Sequence, residues 1–388
     1  QPRLVYLKPP DQDVVLEGDS LRLLDPPSNE PLHLPIDTFF QSLAENRGEY
    51  GACVVLSGSG SDGTLGLKAV KSSGGLTIVQ DREQAAYRSM PDSAFETGMV
   101  DLALKVEKIP TALMRYARYP YFSTPSKERE ETPGEENEIN SILAVVRNQT
   151  GHNFDNYKRS TIKRRIERRL LLNQIESKIE YLGYLRESPE EVWRLFNDFT
   201  VTVTGFFRDP KAHEALGEMI RERFLKPGNP DESIRCWVIG CSTGEEAYSI
   251  AILFAEAEDD LNRSFEIKIF ATDINKHALE TARAGVYPPG IRTIIAEERI
   301  NKFFFKKENG YQVTDRIRHM LIFSEHNVTR DPPFSRLDLV SCRNLLIYME
   351  EPLQRKIAPM IHYSLKPGGL LFLGTAEGVS KSNGLFEP

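Results

Sequence analysis

The segment Trp237-Val-Ile-Gly240-Cys-Ser242-Thr-Gly244-Glu245-Glu246 limits what this chain can fold into more than any other stretch. An apolar run from Ile234 to Ile239, holding one Arg and one Cys, stops at a glycine; a turn of small residues follows, then a helical pattern from Glu245 to Glu256. A strand, a tight turn and a helix start bring backbone N–H groups up to a ligand. A second apolar run, 267–272, ends at Asp273, where a carboxylate can take the two hydroxyls of a ribose. The turn lacks the three-glycine dinucleotide fingerprint and carries two carboxylates where a pyrophosphate wants N–H donors and cations. A nucleoside without phosphates, with an ammonium at its other end, suits it better. S-adenosylmethionine is such a molecule.

The rest of the chain supports an α/β reading. Its 388 residues are enough for two or three domains, with 40% apolar and 27% charged residues, as in ordinary globular protein. No stretch reaches the apolar length of about 20 residues that a membrane span needs, so no membrane insertion is expected. The net charge of −7 argues against a general nucleic-acid binder. The four cysteines, Cys53, Cys236, Cys241 and Cys342, fall on or beside predicted strands without zinc spacing, so free thiols and a reducing, cytoplasmic setting are expected. A chain opening at Gln1 is read as trimmed or excised.

Residues 1–122 read as α/β, with strands at 4–7, 14–16, 52–56 and 76–79 and helices at 37–45 and 64–71. Residues 123–138, rich in Lys, Glu and Pro, read as a charged linker or the start of a polar helix. Residues 139–228 are helical by their 3.6-residue periodicity: Ile139, Leu143 and Val146, then Ile162, Ile166 and Leu170, then Tyr181, Leu182 and Leu185. From 229 to 388 the α/β alternation returns, with strands near 234–239, 267–272, 337–342 and 370–374. A Lys366-Pro-Gly-Gly369 turn separates a helix over 352–364 from the last of these. At about 290–325 the alternation breaks, and Phe303-Phe-Phe, Tyr311-Gln-Val and 320–323 predict a small antiparallel excursion.

The second and third blocks resemble the chemotaxis receptor methyltransferases. The residues that carry the likeness come in order: Thr150-Gly-His-Asn-Phe with a basic helix after it, Thr202-Val-Thr204-Gly-Phe-Phe-Arg208, the turn at 240–249, Ala271-Thr-Asp273-Ile, Asn327-Val328, and Ser341-Cys-Arg343-Asn344-Leu-Leu-Ile-Tyr348. The first block resembles the later part of the chemotaxis receptor methylesterase domain, through Leu56-Ser-Gly-Ser-Gly-Ser-Asp62-Gly63 and Gln80-Asp…Ser89-Met-Pro91. The chain as a whole is similar to a fusion of the two. The implied fold is a Rossmann-like S-adenosylmethionine-dependent methyltransferase domain with a helical N-terminal subdomain and a small β-subdomain, behind a partial α/β methylesterase-like domain. The implied activity is methyl transfer from S-adenosylmethionine to chemoreceptor glutamates, leaving S-adenosylhomocysteine. A scaffold that binds cofactor and receptor without turnover is the alternative.

The resemblance also implies roles. Gly240, Ser242 and Gly244 bring backbone close to the cofactor, Glu245 meets its ammonium, and Asp273 holds the ribose. Arg208 pairs with the methionyl carboxylate beside Thr202 and Thr204. Thr202 stands where the family commonly has asparagine, so its contact is the less secure. Phe206 and Phe207 are packing residues. Asn327 and Val328 line the adenine pocket. Arg343 and Asn344 border the crevice, and Tyr348 orients the incoming glutamate, with Arg343 and Tyr348 taken as the catalytic pair.

Lys158-Arg159-Ser-Thr-Ile-Lys163-Arg164-Arg165-Ile-Glu-Arg168-Arg169 holds seven cations against one acid. The apolar stripe of Ile162, Ile166 and Leu170 predicts that Arg164, Arg165, Arg168 and Arg169 reach solvent. They would grip the glutamate-rich helices of a chemoreceptor, with a salt-sensitive KM, although a merely solvated face is the bland reading. In some relatives the β-subdomain docks a receptor tail. Asp62 matches the acid of the methylesterase triad, whose serine and histidine lie upstream of Gln1, in a segment that would be a further partner. The first block is therefore expected to be hydrolytically inert.

Overall fold

A computed structural model describes residues 4–25, 33–118, 134–200, 204–223, 233–308, 310–378 and 384–387. The chain divides into two compact units. One takes Gln1–Glu135 with Glu167–Ser177 and Pro288–Thr293, and the other takes Glu136–Ile166, Lys178–Tyr287 and Ile294–Pro388.

In the first unit a hairpin of β1 (Asp13–Glu17) and β2 (Ser20–Leu24) precedes helix α1 (Pro35–Arg47). Strands β3 (Ala52–Val55), β4 (Leu76–Gln80) and β5 (Leu102–Leu104) form a parallel sheet in that order. Helices α2 (Thr64–Ser72) and α3 (Ser89–Glu96) lie between them, and α4 (Ile109–Arg118) follows. Strand β4 is buried along its whole length, as its run of Leu, Thr, Ile and Val predicts for a central parallel strand. Phe40, Val55, Leu67 and Val70 fill one apolar cluster; Leu76, Ile78, Ile109 and Leu171 fill another. The strand expected at 4–7 is absent. Those residues join none of the sheets, and Val5 and Leu7 are exposed, so apolar pattern alone did not make a strand.

Helices come next along the chain, and of their residues Glu167–Ser177 belong to the first unit. Helix α5 (Glu135–Thr150) starts inside the expected linker; α6 (Arg159–Asn173), α7 (Lys178–Glu187), α8 (Pro189–Phe199) and α9 (Pro210–Arg223) follow. Ile139, Leu143, Val146, Ile162, Ile166, Leu170, Tyr181 and Leu185 are buried, as the periodicity predicts. Ser188 caps α8 by accepting the Glu191 N–H.

A five-stranded sheet then runs in the order β11-β7-β6-β12-β13, all parallel. Its strands are β6 (Ile234–Ile239), β7 (Ile267–Asp273), β11 (Leu321–Glu325), β12 (Leu337–Cys342) and β13 (Leu365–Leu373). Helix α10 (Glu245–Leu261) follows β6, and α11 (Lys276–Ala284) follows β7. A last helix, Glu351–Ser364, stands between β12 and β13. Trp237, Leu337, Val340, Met349 and Ile357 share one apolar core.

The excursion is smaller than the sequence suggests. Strands β8 (Val286–Tyr287), β10 (Gly310–Val313) and β9 (Phe304–Lys307) form the antiparallel sheet. Leu321–Glu325 instead joins the main sheet parallel to β7. The expected turn at Lys366–Gly369 falls inside β13, where pairing with β12 shifts register. Among the described residues no helix is long and apolar enough to cross a membrane, and no cluster of side chains could hold a metal ion.

Candidate active site

Strand β6 has β7 on one side and β12 on the other: the chain runs from β6 to β7 and β11, then crosses back to β12 and β13, so the strand order reverses at β6. An open parallel sheet forms its ligand crevice at such a switch point, beyond the carboxyl ends of the strands. A cleft lies there. Its walls are Gly240 and Ser242 after β6, Asp273 after β7, His326, Asn327 and Val328 after β11, and Arg343, Asn344 and Tyr348 after β12. Tyr157, Phe199, Thr200, Thr204, Arg208 and Glu246 are among the other residues that line it. Thr202 lies outside the described residues.

The turn after β6 needs its glycines for different reasons. Gly240 and Ser242 adopt φ of 69° and 50°, and Gly244 one of 97°. A Cβ on Gly240 would meet Leu345 at an ordinary 3.4 Å, so backbone angle alone asks for glycine there. A Cβ on Gly244 would sit 2.9 Å from the Ala282 Cβ and 3.1 Å from the Tyr287 hydroxyl. Gly244 therefore lets α11 close on the turn and is not part of the cleft wall, contrary to its expected role. Glu245 also lies outside the wall: it is buried and accepts the Thr243 hydroxyl at 2.6 Å. The next residue, Glu246, reaches the cleft and accepts the Ser341 hydroxyl at 2.6 Å. Burial pushes its carboxyl up, against the pull of Ser341 and Arg343.

Asp273 joins the two turns. Its Oδ2 accepts the Ser242 N–H at 2.9 Å and its Oδ1 the Asn275 N–H at 2.8 Å. Each oxygen keeps a lone pair for another donor, and burial pushes the carboxyl up. Two neighbours in the wall lack partners among the described residues: the Ser242 hydroxyl and the His326 Nδ1 are both buried without a hydrogen bond. The His326 Nε2 lies 2.9 Å from the Pro332 carbonyl, so it carries the proton and Nδ1 is an acceptor. Buried polar atoms are almost always paired. A nucleoside, with hydroxyls and an exocyclic amine, can satisfy this acceptor-rich set; a phosphate cannot.

Arg343 is already committed. Its side chain is fully buried, with Nη2 2.6 Å from Asp209 and Nη1 3.4 Å from Glu246, and its guanidinium lies over the Phe372 ring. Its charge thus holds two carboxylates together; Arg208, which lines the cleft as well, is the more exposed of the two cations. Asn344 turns the chain with φ of 57° and gives its N–H to Glu377 at 2.6 Å. The Tyr348 carbonyl accepts the Lys158 N–H, and Tyr157 pairs with Met349 as an isolated bridge. Two tyrosines thus stand in the wall. Burial lifts the Tyr157 phenol to about 12.

Asn327 accepts both the N–H and the hydroxyl of Thr329, and its amide faces the His152 Nδ1 at 3.2 Å. Val328 packs against the core around Trp237. Phe206 and Phe207 are packing residues, as expected; Phe206 meets Tyr287 and Phe304, and Arg299 lies over Phe207. Tyr157, Glu246, His326 and Glu377 escaped the sequence reading. Tyr157 is the residue just before the basic run and Glu246 the second carboxylate of the Gly240 turn; His326 and Glu377 sit in strings with no distinguishing spacing.

The basic helix departs from expectation. Arg165, Arg168 and Arg169 are 2%, 6% and 7% exposed, and Arg164 is half-buried. In the first unit Asp101, buried before β5, takes Arg168 and Lys71, the latter at 2.6 Å, and Arg168 also donates to the Gly75 carbonyl. A buried carboxylate needs such cations, so solvent was the wrong partner to assume. Asp62 is likewise engaged: its two oxygens accept the N–H groups of Ile36 and Asp37 at the start of α1. His33 lies 2.8 Å from Asp13.

Three family models match the chain. They are a CheB methylesterase over 1–113, the all-alpha domain of the CheR methyltransferase over 137–200, and the CheR S-adenosylmethionine-binding domain over 202–388. An uncharacterized 104.1 kDa protein of Rhodobacter capsulatus is 37% identical over 97% of this chain, which spans only 41% of that protein. Chemotaxis protein methyltransferase 2 of Vibrio cholerae is 34% identical, over 61% of this chain and 84% of its own length. The methylesterase catalytic domain of Thermotoga maritima CheB is 30% identical, over 28% of this chain and 60% of that domain, with a TM-score of 0.27. With its cleft and the helices before it matched in tandem, and with most of a 34% identical relative covered, the chain belongs to the chemotaxis CheR methyltransferase family and carries a CheB methylesterase segment ahead of that part.

Proposed function

We propose that the chain transfers a methyl group from S-adenosylmethionine to glutamate carboxylates of chemoreceptors, giving methyl esters. The observation that carries this reading is the Asp273 carboxylate in the cleft wall beside the orphaned Ser242 hydroxyl and His326 Nδ1. When bound, the cofactor supplies an electrophilic methyl on a sulfonium. Asp273 suits the ribose hydroxyls; Asn327 and Val328 suit the adenine. Glu246 suits the ammonium of the methionyl end and Arg208 its carboxylate.

A glutamate with a reference pKa of about 4.3 is already ionised near neutrality. The site therefore needs no general base. What the residues must do is align the acceptor and exclude water. Tyr157 and Tyr348, one from the helical segment and one from the loop after β12, line the same cleft. As phenols they donate a hydrogen bond to a carboxylate and orient it without taking its proton.

The methylesterase-like block is part of the same proposal and is inert as a hydrolase. Supporting this, Asp62 gives both oxygens to helix N–H groups and His33 faces Asp13. The buried Arg165, Arg168 and Arg169 narrow the receptor-binding reading to cations nearer the helix start, such as exposed Lys158. The test is to incubate the chain with methyl-labelled cofactor and a glutamate-bearing chemoreceptor fragment. Label released as methanol by mild base is a methyl ester; cofactor binding without transfer would instead mark a scaffold.

A further inference from the structure

We infer that Glu377, which does not line the cleft, is a positioning residue for methyl transfer, holding the loop from Asn344 to Tyr348 in its working shape. The inference rests on the methyl-transfer reading above. Strand β12 ends at Cys342, and the chain must turn sharply to carry Tyr348 back to the cleft. It does so at Asn344, with a positive φ of 57° that side-chain-bearing residues rarely adopt. Such a turn leaves amides without main-chain partners, and a buried amide must find an acceptor.

Glu377 is that acceptor. Its Oε2 takes the Asn344 N–H at 2.6 Å and the Gly374 N–H at 3.0 Å, and its Oε1 takes the Leu346 N–H at 2.7 Å. One carboxylate therefore ties the end of β13 to both sides of the turn after β12. The Glu377 N–H closes back on the Gly374 carbonyl at 3.0 Å, which fixes the acid itself. Gly374 keeps the space open: a Cβ there would lie 2.7 Å from the Glu377 Oε2 and 3.2 Å from the Asn344 nitrogen.

The clamped Leu346 is the first residue of the 3-10 turn Leu346–Tyr348, so the hold is two residues from the tyrosine in the wall. Between the clamped amides, Leu345 borders Gly240 in the same cleft. A loosened loop would thus shift Tyr348, which the proposed function gives to the acceptor, while the turn at Gly240 keeps its own strand and helix. A carboxylate is required because both oxygens accept. Glutamine offers one acceptor and an amino group that faces an N–H, so it must release at least one amide. Aspartate is one methylene short of the same reach.

The test uses the full chain with Glu377→Gln, and Gly374→Ala as a second variant that crowds the carboxylate without removing it. The readouts are cofactor Kd by calorimetry, kcat and KM for a receptor fragment, and amide hydrogen exchange at 344–346. Misplacing a group that aligns reactants costs rate before it costs binding, so kcat should fall about tenfold or more while Kd changes by less than about threefold. Exchange at 344–346 should accelerate in both variants. Unchanged kcat in folded Glu377→Gln, losses of kcat and Kd in equal proportion, or unchanged exchange would each overturn the inference. If Glu377→Gln does not fold, Gly374→Ala decides by the same criteria. If the unaltered chain transfers no methyl to any receptor carboxylate, the proposed function falls, while exchange still decides whether Glu377 holds the loop.

Discussion

Asp62 in the first unit and Asp273 in the second begin alike. Asp62 follows a parallel strand and Asp273 ends one, each stands near a helix start, and each accepts two backbone N–H groups. Their surroundings then diverge. The two amides on Asp62 are the first donors of α1, which helix geometry leaves unpaired, and its charged neighbour is Asp37, another carboxylate. Asp273 joins its own turn to the Gly240 turn and stands in a cleft wall with an unpaired hydroxyl and an unpaired ring nitrogen nearby. The same residue type in the same kind of loop is a cap in one unit and, under the proposed function, a ligand acceptor in the other. What separates them is whether the polar atoms around them are already satisfied.

If the charges of the first unit are structural, breaking one should cost stability. Arg168→Ala takes away one of the cations that Asp101 holds in the interior, and removing one partner of a buried pair costs about 3 to 5 kcal/mol. Urea unfolding followed by a probe in that unit checks this. A raised KM for receptor at unchanged stability would return Arg168 to the receptor face. In the second unit, Asp273→Asn removes a charged acceptor, worth about 1.5 to 3 kcal/mol. Calorimetry should show cofactor Kd weakened by about ten- to a hundredfold, with Asp62→Asn leaving it unchanged; equal effects would erase the contrast.

Asp62→Ala should destabilise the first unit by about 1 to 2 kcal/mol through loss of a helix cap, with methyl transfer intact. The smallest effect is a pH slope. Burial raises the Asp37 carboxyl to about 7, above its unfolded value of about 3.9. The folded state then holds a proton that the unfolded state has lost. That contribution is whole below about pH 4 and disappears as pH rises through about 7. Urea midpoints of the first unit should therefore decline over that window, and Asp37→Asn should flatten the decline. A slope that survives the substitution belongs to another group.

The sheet and most helices were legible because periodicity reports which face is buried, and β6 and β12 are buried nearly throughout. Leu321–Glu325 was misassigned because an apolar run does not say which sheet it joins. In the site, the place of Asp273 in the cleft wall was legible because strand ends border the crevice of an open parallel sheet. Glu245 and Glu246 were not separable, since adjacent helix residues differ only by a rotation of about 100° that sequence does not anchor. Arg168 was misread because helix periodicity marks a polar face without saying whether water or Asp101 covers it. Glu377 left no trace, because three amides turned toward one side chain are a property of the folded loop alone.

The most direct test of the two-unit contrast is methyl transfer itself. Unaltered chain, Asp62→Asn and Asp273→Asn would be incubated in parallel with methyl-labelled cofactor, at a concentration near its Kd, and a glutamate-bearing chemoreceptor fragment. The methanol released by mild base would then be counted. The account predicts base-labile label at equal rates from the unaltered chain and Asp62→Asn, and at least about a tenfold loss from Asp273→Asn. Equal label from all three, or none from the unaltered chain, would contradict it.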